Sequence, residues 1–419
     1  MKRLNLALGL LGLLVATPSL SAEITVWDWK SGDPLNAAYY DSVKKNFEAA
    51  HPGTTVNYVF QPHDQFYTLL GTALASGSGP DLIMLNAGAQ LVARTDALVP
   101  LDTAVADLKS SISGWPDFSG TDGKIYAIPL SIQGFVAYYN KKIYADAGLD
   151  PEKPPTTWAE LVKVCDAIKT KGNATCFSLG NKEGFGIELW FSSIAATEWT
   201  AQEQADFTAG KLKWSSPQVR AVLQSWVDAN AAGWFPAGAN STPKFPDEYE
   251  GFMRGDSANS VGLISDVGNW KQFDDFMQPE NVGAFRMPSP TIASDKKEGD
   301  PQFPVTGGIG YGVNKASKNV DLAIALDKEF AAPANQLIFF TDAGAIPANT
   351  AVDTSGLKSP SGKLIFGWMK TSEAPMAYSD ATAREVEELH RQSQLLLNGT
   401  ETIDQAVEQL DKVQAEARK

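Results

Sequence analysis

The heptapeptide Trp27-Asp28-Trp29-Lys30-Ser31-Gly32-Asp33 gathers two indoles and two carboxylates in one short stretch. Aromatic and acidic residues recur together as Glu183 with Trp190 and as Asp266 with Trp270, while His63, Asn86 and Gln133 add an imidazole and two amides. A sugar ring carries hydroxyls on its rim and C–H groups on its faces, so a site for it pairs flat aromatics with short, rigid carboxylates and amides. In a dry cleft each polar group that demands a hydroxyl partner discriminates by about 1–3 kcal/mol. The carboxylates Asp33, Glu183 and Asp266 also offer the residue types of a glycosidase acid and nucleophile, a chemistry that needs carboxyl groups about 5–10 Å apart.

Such residues act only if folded elements hold them. From Glu23 the chain reads strand, helix, strand, helix, strand, the order of a parallel sheet covered by helices. Ile24-Thr25-Val26-Trp27 is the first strand, and by alternation Trp27 and Trp29 cannot both be explained as core contacts. Leu35 to Ala50 repeats Tyr39, Val43 and Phe47 at helical spacing and stops at His51-Pro52-Gly53. Thr55 to Phe60 is a second strand. Asp64 to Ala75 is a helix expected to turn Phe66, Leu69, Leu70 and Ala73 inward, and Asp81 to Leu85 is a third, nearly all-apolar strand. Ligands collect at the carboxyl ends of strands in such sheets, and Asp33, His63 and Asn86 all follow such ends.

A second unit begins after Ile125 to Pro129. Thr157-Trp158-Ala159-Glu160 is a capping box, and its helix carries Leu161, Val164, Cys165 and Ile168 along one stripe. Pro217 opens another helix, with Val219, Val222, Leu223 and Trp226 facing one way. Ser260 to Ser265 and the glycine-rich run Gly307 to Val313 read as strands, and Thr402 with Gln405 starts the last helix. Without a low-complexity linker between the units, the chain is expected to pass between them more than once.

The composition is that of an acidic folded protein: 43% hydrophobic, 20% charged, with a formal charge of −14. A phosphate backbone would meet repulsion, which argues against a nucleic-acid partner. Met1-Lys2-Arg3, the apolar run Leu4 to Ala16 and Ser21-Ala22 have the layout of a signal peptide, so residues 1–22 are expected to be removed before Glu23. The apolar run is too short to span a bilayer, and no cysteine stands there to carry a lipid; a soluble periplasmic protein is expected. In that oxidising compartment Cys165 and Cys176 read as a disulfide tying a helix end to the next strand. No histidines cluster with them, so no zinc site is expected.

There is no phosphate-binding loop, no His-Glu-x-x-His and no Gly-x-Ser-x-Gly elbow. Gly308-Ile309-Gly310-Tyr311-Gly312 imitates a dinucleotide fingerprint, but Val313 stands where its third glycine belongs. No cofactor and no metal are expected.

Seven pieces remain to be placed: Ile24 to Trp27, Ala73 to Leu82, Asp122 to Pro129, Tyr138 to Lys141, Pro155 to Trp158, Gly307-Gly308, and Gly344 to Pro347. In this order and spacing they resemble the extracellular solute-binding proteins of ABC importers, in the maltose-binding-like family 1 group that takes sugars, from Ile24 to about Lys412. The resemblance implies an α/β, two-lobed periplasmic binding protein fold of type II. Each lobe would be a mixed, mostly parallel sheet flanked by helices, and hinge strands would join the two. It places lobe one at 23–130 and 310–343 and lobe two at 131–309 and 344–419, with hinges at Ser131 to Gln133, Gly308 to Gly310 and Gly344 to Pro347.

The same resemblance implies a sugar or sugar alcohol in the interlobe cleft, held by Trp29, Asp33, His63, Asn86, Gln133, Glu183, Trp190, Asp266, Trp270 and Gly308, with Trp270 as a stacking aromatic. It implies a monomer that hands its ligand to an ABC transporter permease in the inner membrane and catalyses nothing. Two rival readings are a secreted glycoside hydrolase and a binding protein for a non-sugar solute such as a polyamine or iron. Tyr138-Tyr139 is similar to the paired tyrosines of iron-binding relatives, but here it matches the family's strand motif and a structural role is expected. Trp115, Trp158, Trp199, Trp214, Trp226, Trp234 and Trp368 are expected to pack in the core or lie on the surface.

Overall fold

The computed structural model describes residues 22–244, 247–265, 268–369, 371 and 373–418. The expected leader therefore lies outside the described residues apart from Ala22. No described helix is long and apolar enough to cross a membrane.

Among the described residues the strands are β1 (Ala22–Asp28), β2 (Thr54–Phe60), β3 (Leu82–Asn86), β4 (Ile128–Pro129), β5 (Ile132–Asn140), β6 (Thr175–Phe177), β7 (Ser257–Ile264), β8 (Val282–Phe285), β9 (Phe303–Gly307), β10 (Ile309–Val313) and β11 (Glu373–Pro375). They form two sheets. The first runs β2-β1-β3-β10-β4, and the second β11-β9-β5-β7-β6 with β8 against the far half of β5. In β1, Ile24, Val26 and Asp28 are buried while the residues between them are more open, the period-two pattern of a sheet face. In β3, Leu82 to Leu85 are all buried because both faces of this central strand are covered.

The sheets are less parallel than expected. β1 runs parallel to β2 and β3, but β10 is antiparallel to β3 and β4. In the second sheet β5 is antiparallel to β7, β8 and β9, and only the β6–β7 and β9–β11 pairs are parallel. The reason is the traffic between sheets. β4 and β9 run toward the junction while β5 and β10 run away from it, so a strand arriving beside a strand leaving must be antiparallel. For the same reason Gly307 to Val313 is two strands, not one: β9 ends in the second sheet and β10 begins in the first, with Gly308 between them.

The helices follow their sequence signals closely. Asp33 accepts the Leu35 N–H at 2.9 Å and caps a 3-10 turn, Pro34–Asn36, so the first long helix starts at Ala37 and leaves Leu35 60% exposed. On His63–Ala75, Phe66 and Leu70 are buried, but Leu69 is 38% exposed. It lies beside the Phe66–Leu70 seam, outside the apolar stripe that the sequence suggested. The capping box of Trp158–Lys171 forms as expected, with Thr157 Oγ1 accepting from Glu160 N–H, and Gly172 ends the helix in the left-handed region at φ 77°. Cys165 of that helix is bonded to Cys176 in β6. Tyr138 and Tyr139 are both buried on opposite faces of β5, Tyr138 against Phe273 and Tyr139 with its hydroxyl on the Pro151 carbonyl.

Replacing both cysteines with alanine should lower the free energy of unfolding by about 3 kcal/mol, the loop-entropy value for a span this short. Denaturant melts of the two forms measure it, and equal stabilities would show the bond to be idle.

Candidate functional site

The two sheets meet where the main chain crosses between them. Gly308 N–H donates to the Ser131 carbonyl at 2.8 Å and Ile309 N–H to Ser131 Oγ at 3.1 Å. Leu130 N–H reaches the Ile309 carbonyl at 2.8 Å, and Ile132 N–H the Ile346 carbonyl at 2.9 Å. Three crossings, near residues 130–131, 308 and 344–347, are thus stitched to one another. A Cβ on Gly308 would stand 2.4 Å from Ser131 Oγ, so only glycine fits there.

On the first sheet's side, the carboxyl ends of β1, β2 and β3 form one rim. Asp28, fully buried at the end of β1, accepts Lys30 N–H and Ser31 N–H at 2.7 and 2.5 Å and so shapes the loop that carries Asp33. Burial pushes its carboxyl above the usual range. Asp33 stands partly open at the rim. His63 is exposed, its ring edge-on to Trp29 at 5.0 Å. Asn86 is half-buried, and its N–H donates to the Tyr67 hydroxyl at 2.9 Å. Beyond it the chain turns through Gly88 (φ 69°), where a Cβ would come within 3.0 Å of the Ser379 carbonyl oxygen. The rim of the first sheet therefore already touches the segment Ala377–Asp380, which belongs with the second.

On the second sheet's side, Gln133 is half-buried near the start of β5, and its amide donates to the Tyr378 hydroxyl at 2.9 Å. Tyr378 lies nearly parallel to Phe135, 5.7 Å between centroids. Its position is fixed from below: Asp380 accepts from Gln204 Nε2 at 2.7 Å and Thr208 Oγ1 at 2.9 Å, and burial raises that carboxyl. Asp117 closes the floor by accepting the Gly307 N–H at 2.6 Å, and it too is raised by burial. The neighbouring Trp115 is half-buried with its indole N–H unpartnered.

Four of the expected contacts sit in packed surroundings. Trp29 is only 9% exposed and packs edge-on against Phe66 at 4.8 Å, so it belongs to the core beneath the rim. Trp190 is 2% exposed among Trp158, Phe177, Trp226 and Phe235, and its N–H donates to Ser225 Oγ at 2.9 Å. Trp270 is 6% exposed, packed on Phe340 with its N–H on the Gly344 carbonyl at 3.0 Å, which makes it a clamp on the third crossing. Gly308 has its N–H on Ser131 and its carbonyl on Ala87 N–H, a structural junction. Indoles are large enough that burying them wins over leaving a face open unless the fold prevents it.

Glu183 is exposed and accepts Lys244 N–H at 3.0 Å. Asp266 lies outside the described residues. Asp33 and Glu183 each hold a backbone amide, an arrangement suited to shaping loops. Among the described residues no group of three or more histidine, cysteine or acidic side chains could hold a metal ion. Tyr378 and Trp115 were not singled out from the sequence as binding residues. Gln133's need for a partner in an apolar strand was the one available signal, and it did not say that the partner stands 245 positions away.

A model of the family described as bacterial extracellular solute-binding protein matches residues 42–362. A binding protein of Brucella abortus (strain 2308) is 28% identical over 184 residues, 43% of this chain, and the chain spans 42% of that relative's length. The sn-glycerol-3-phosphate-binding periplasmic protein of Salmonella typhimurium is 25% identical over 358 residues, covering 82% of this chain and 79% of the relative. The solved structure of a chitin oligosaccharide binding protein is similar with a TM-score of 0.83 at 25% identity, over 95% of this chain and 99% of that one.

Two outcomes check these placements. Trp190→Ala should destabilise the protein by about 3–5 kcal/mol, the cost of an emptied core position; a ligand-facing indole would leave the melting temperature nearly unchanged. Glu248, buried beneath the 178–180 turn where it accepts from Ser178 Oγ and Gly180 N–H, is pushed up to about 7 by burial. Its folded form keeps a proton that the unfolded chain releases near pH 4.3, so its contribution is full below that pH and is lost as pH rises through about 7. Thermal melts should therefore show Glu248→Gln flattening the fall in stability between pH 5 and pH 8; an unchanged slope contradicts this.

Proposed function

The chain belongs to the bacterial extracellular solute-binding protein family and has the two-lobed, type II periplasmic binding protein fold; from that premise we propose that it captures a sugar or sugar alcohol between its lobes and presents it to an ABC transporter permease in the inner membrane. Lobe one comprises 23–130 and 310–343, lobe two 131–309 and 344–419. Residues 1–22 direct export and are cleaved, leaving Glu23 as the mature N-terminus in the periplasm.

The observation that carries this reading is the Gln133–Tyr378 pair, an amide and a phenol bonded to each other at the junction of the two sheets. A half-buried amide in an apolar strand needs partners, and a hydroxylated ligand that replaces or bridges this contact inherits a donor, an acceptor and an aromatic edge. Asp33, His63 and Asn86 supply polar groups from lobe one, and Asp266 adds a carboxylate from lobe two. Closing brings both sets onto one ligand, so the ligand stabilises the closed form by the difference in its affinity for the two forms. The likeness to a chitin oligosaccharide binding protein supports a carbohydrate, and the likeness to a glycerol-3-phosphate-binding protein supports a polyol.

Thermal melts against sugars and polyols test the proposal. A cognate ligand at a hundred times its dissociation constant should add about 2.7 kcal/mol of stability, and Gln133→Ala should abolish most of that gain while leaving the unliganded melt within a few degrees. A panel with no responding sugar or polyol would reject the reading.

A further inference from the structure

The Gln133 region accounts for one end of a binding cleft but leaves the opposite end of lobe one's rim unexplained. β2 is the outer strand of the first sheet, and the crossings leave that sheet through β4 and β10 on its other side. The carboxyl end of β2 is therefore the part of the rim farthest from the hinge, at the cleft mouth. Two strand spacings, about 10 Å, separate it from Asn86 at the end of β3.

Phe60 ends β2 and is 48% exposed. Its position is defined on one side: a Cβ on Gly32 would meet the ring's Cδ2 and Cγ at 2.7 and 2.8 Å, so the ring rests directly on the Gly32 backbone. Leu35, 60% exposed, follows in the same turn, and Asp33, Gln61 and His63 flank it with a carboxylate, an amide and an imidazole. Val56, on the same face of the strand, is buried, and exposure rises toward Phe60 at its end. A seated aromatic face bordered by hydroxyl-binding side chains is suited to the C–H face and hydroxyl rim of a pyranose.

We infer that Phe60, seated on Gly32, is a second ring-binding subsite at the cleft mouth, which takes a further unit of an oligosaccharide whose first unit lies near Gln133. The inference rests on the carbohydrate reading above and deepens it: the ligand is a chain of sugars, and Phe60 sets how many units are felt.

Titration calorimetry with xylo-, malto- and chito-oligosaccharides of one to five units tests it. In the series the wild type accepts, affinity should rise with length. Phe60→Ala should weaken the longer members roughly five- to tenfold, the value of one aromatic contact, and leave the shortest member within about twofold. Phe60→Tyr should keep the wild-type profile. Gly32→Ala, which displaces the ring without removing it, should fall between the two. If wild-type affinity is independent of length, or if Phe60→Ala weakens short and long members equally or not at all, the subsite is refuted while the receptor reading stands. A wild type that binds no member of any series refutes the subsite, while the receptor reading is decided by the sugar and polyol melts.

Discussion

Ser131 is the knot on which the two halves of this molecule depend. Its carbonyl holds Gly308, its hydroxyl holds Ile309, and its neighbours Leu130 and Ile132 hold Ile309 and Ile346. All three crossings are thus fastened within a few residues, in a fully buried place. Gly308 is required because any side chain there would occupy the space of Ser131 Oγ. The strands are pinned at this point, where small backbone rotations would suffice for the hinge closure of a two-lobed protein. Trp270 adds a second restraint by binding the Gly344 carbonyl while resting on Phe340.

The remaining polar groups divide by what surrounds them. Asp28, buried, and Asp117 and Asp380, partly buried, are carboxyls that receive N–H or O–H donors from a turn, a strand end and a helix respectively, and they hold the rim loops in shape. Burial raises all three, the expected result when desolvation outweighs a few hydrogen bonds. Asp33, His63 and Asn86 remain open enough to meet a ligand. The distinction lies in accessibility, since the same residue types serve both purposes.

Much of this arrangement was legible in the amino-acid sequence, and the losses have identifiable causes. β1, β3 and the capping boxes at Thr157 and Thr402 are local features, written in alternation and in residues three apart. The disulfide was legible from compartment and spacing. The packing of Trp29, Trp190 and Trp270 was not legible, because an indole looks alike in sequence whether it packs or stacks. What decides is a partner far along the chain: Ser225 for Trp190, Gly344 for Trp270. The antiparallel pairings of β5 and the bond between Gln133 and Tyr378 were hidden for the same reason, being products of chain crossings.

Two lobes hinged at Ser131 should shut when a ligand binds between them. Small-angle X-ray scattering, with and without a saturating ligand found by the melts, tests it most directly. The liganded protein should have a smaller radius of gyration, reverting when the ligand is dialysed away. An identical radius of gyration with the ligand demonstrably bound would contradict it.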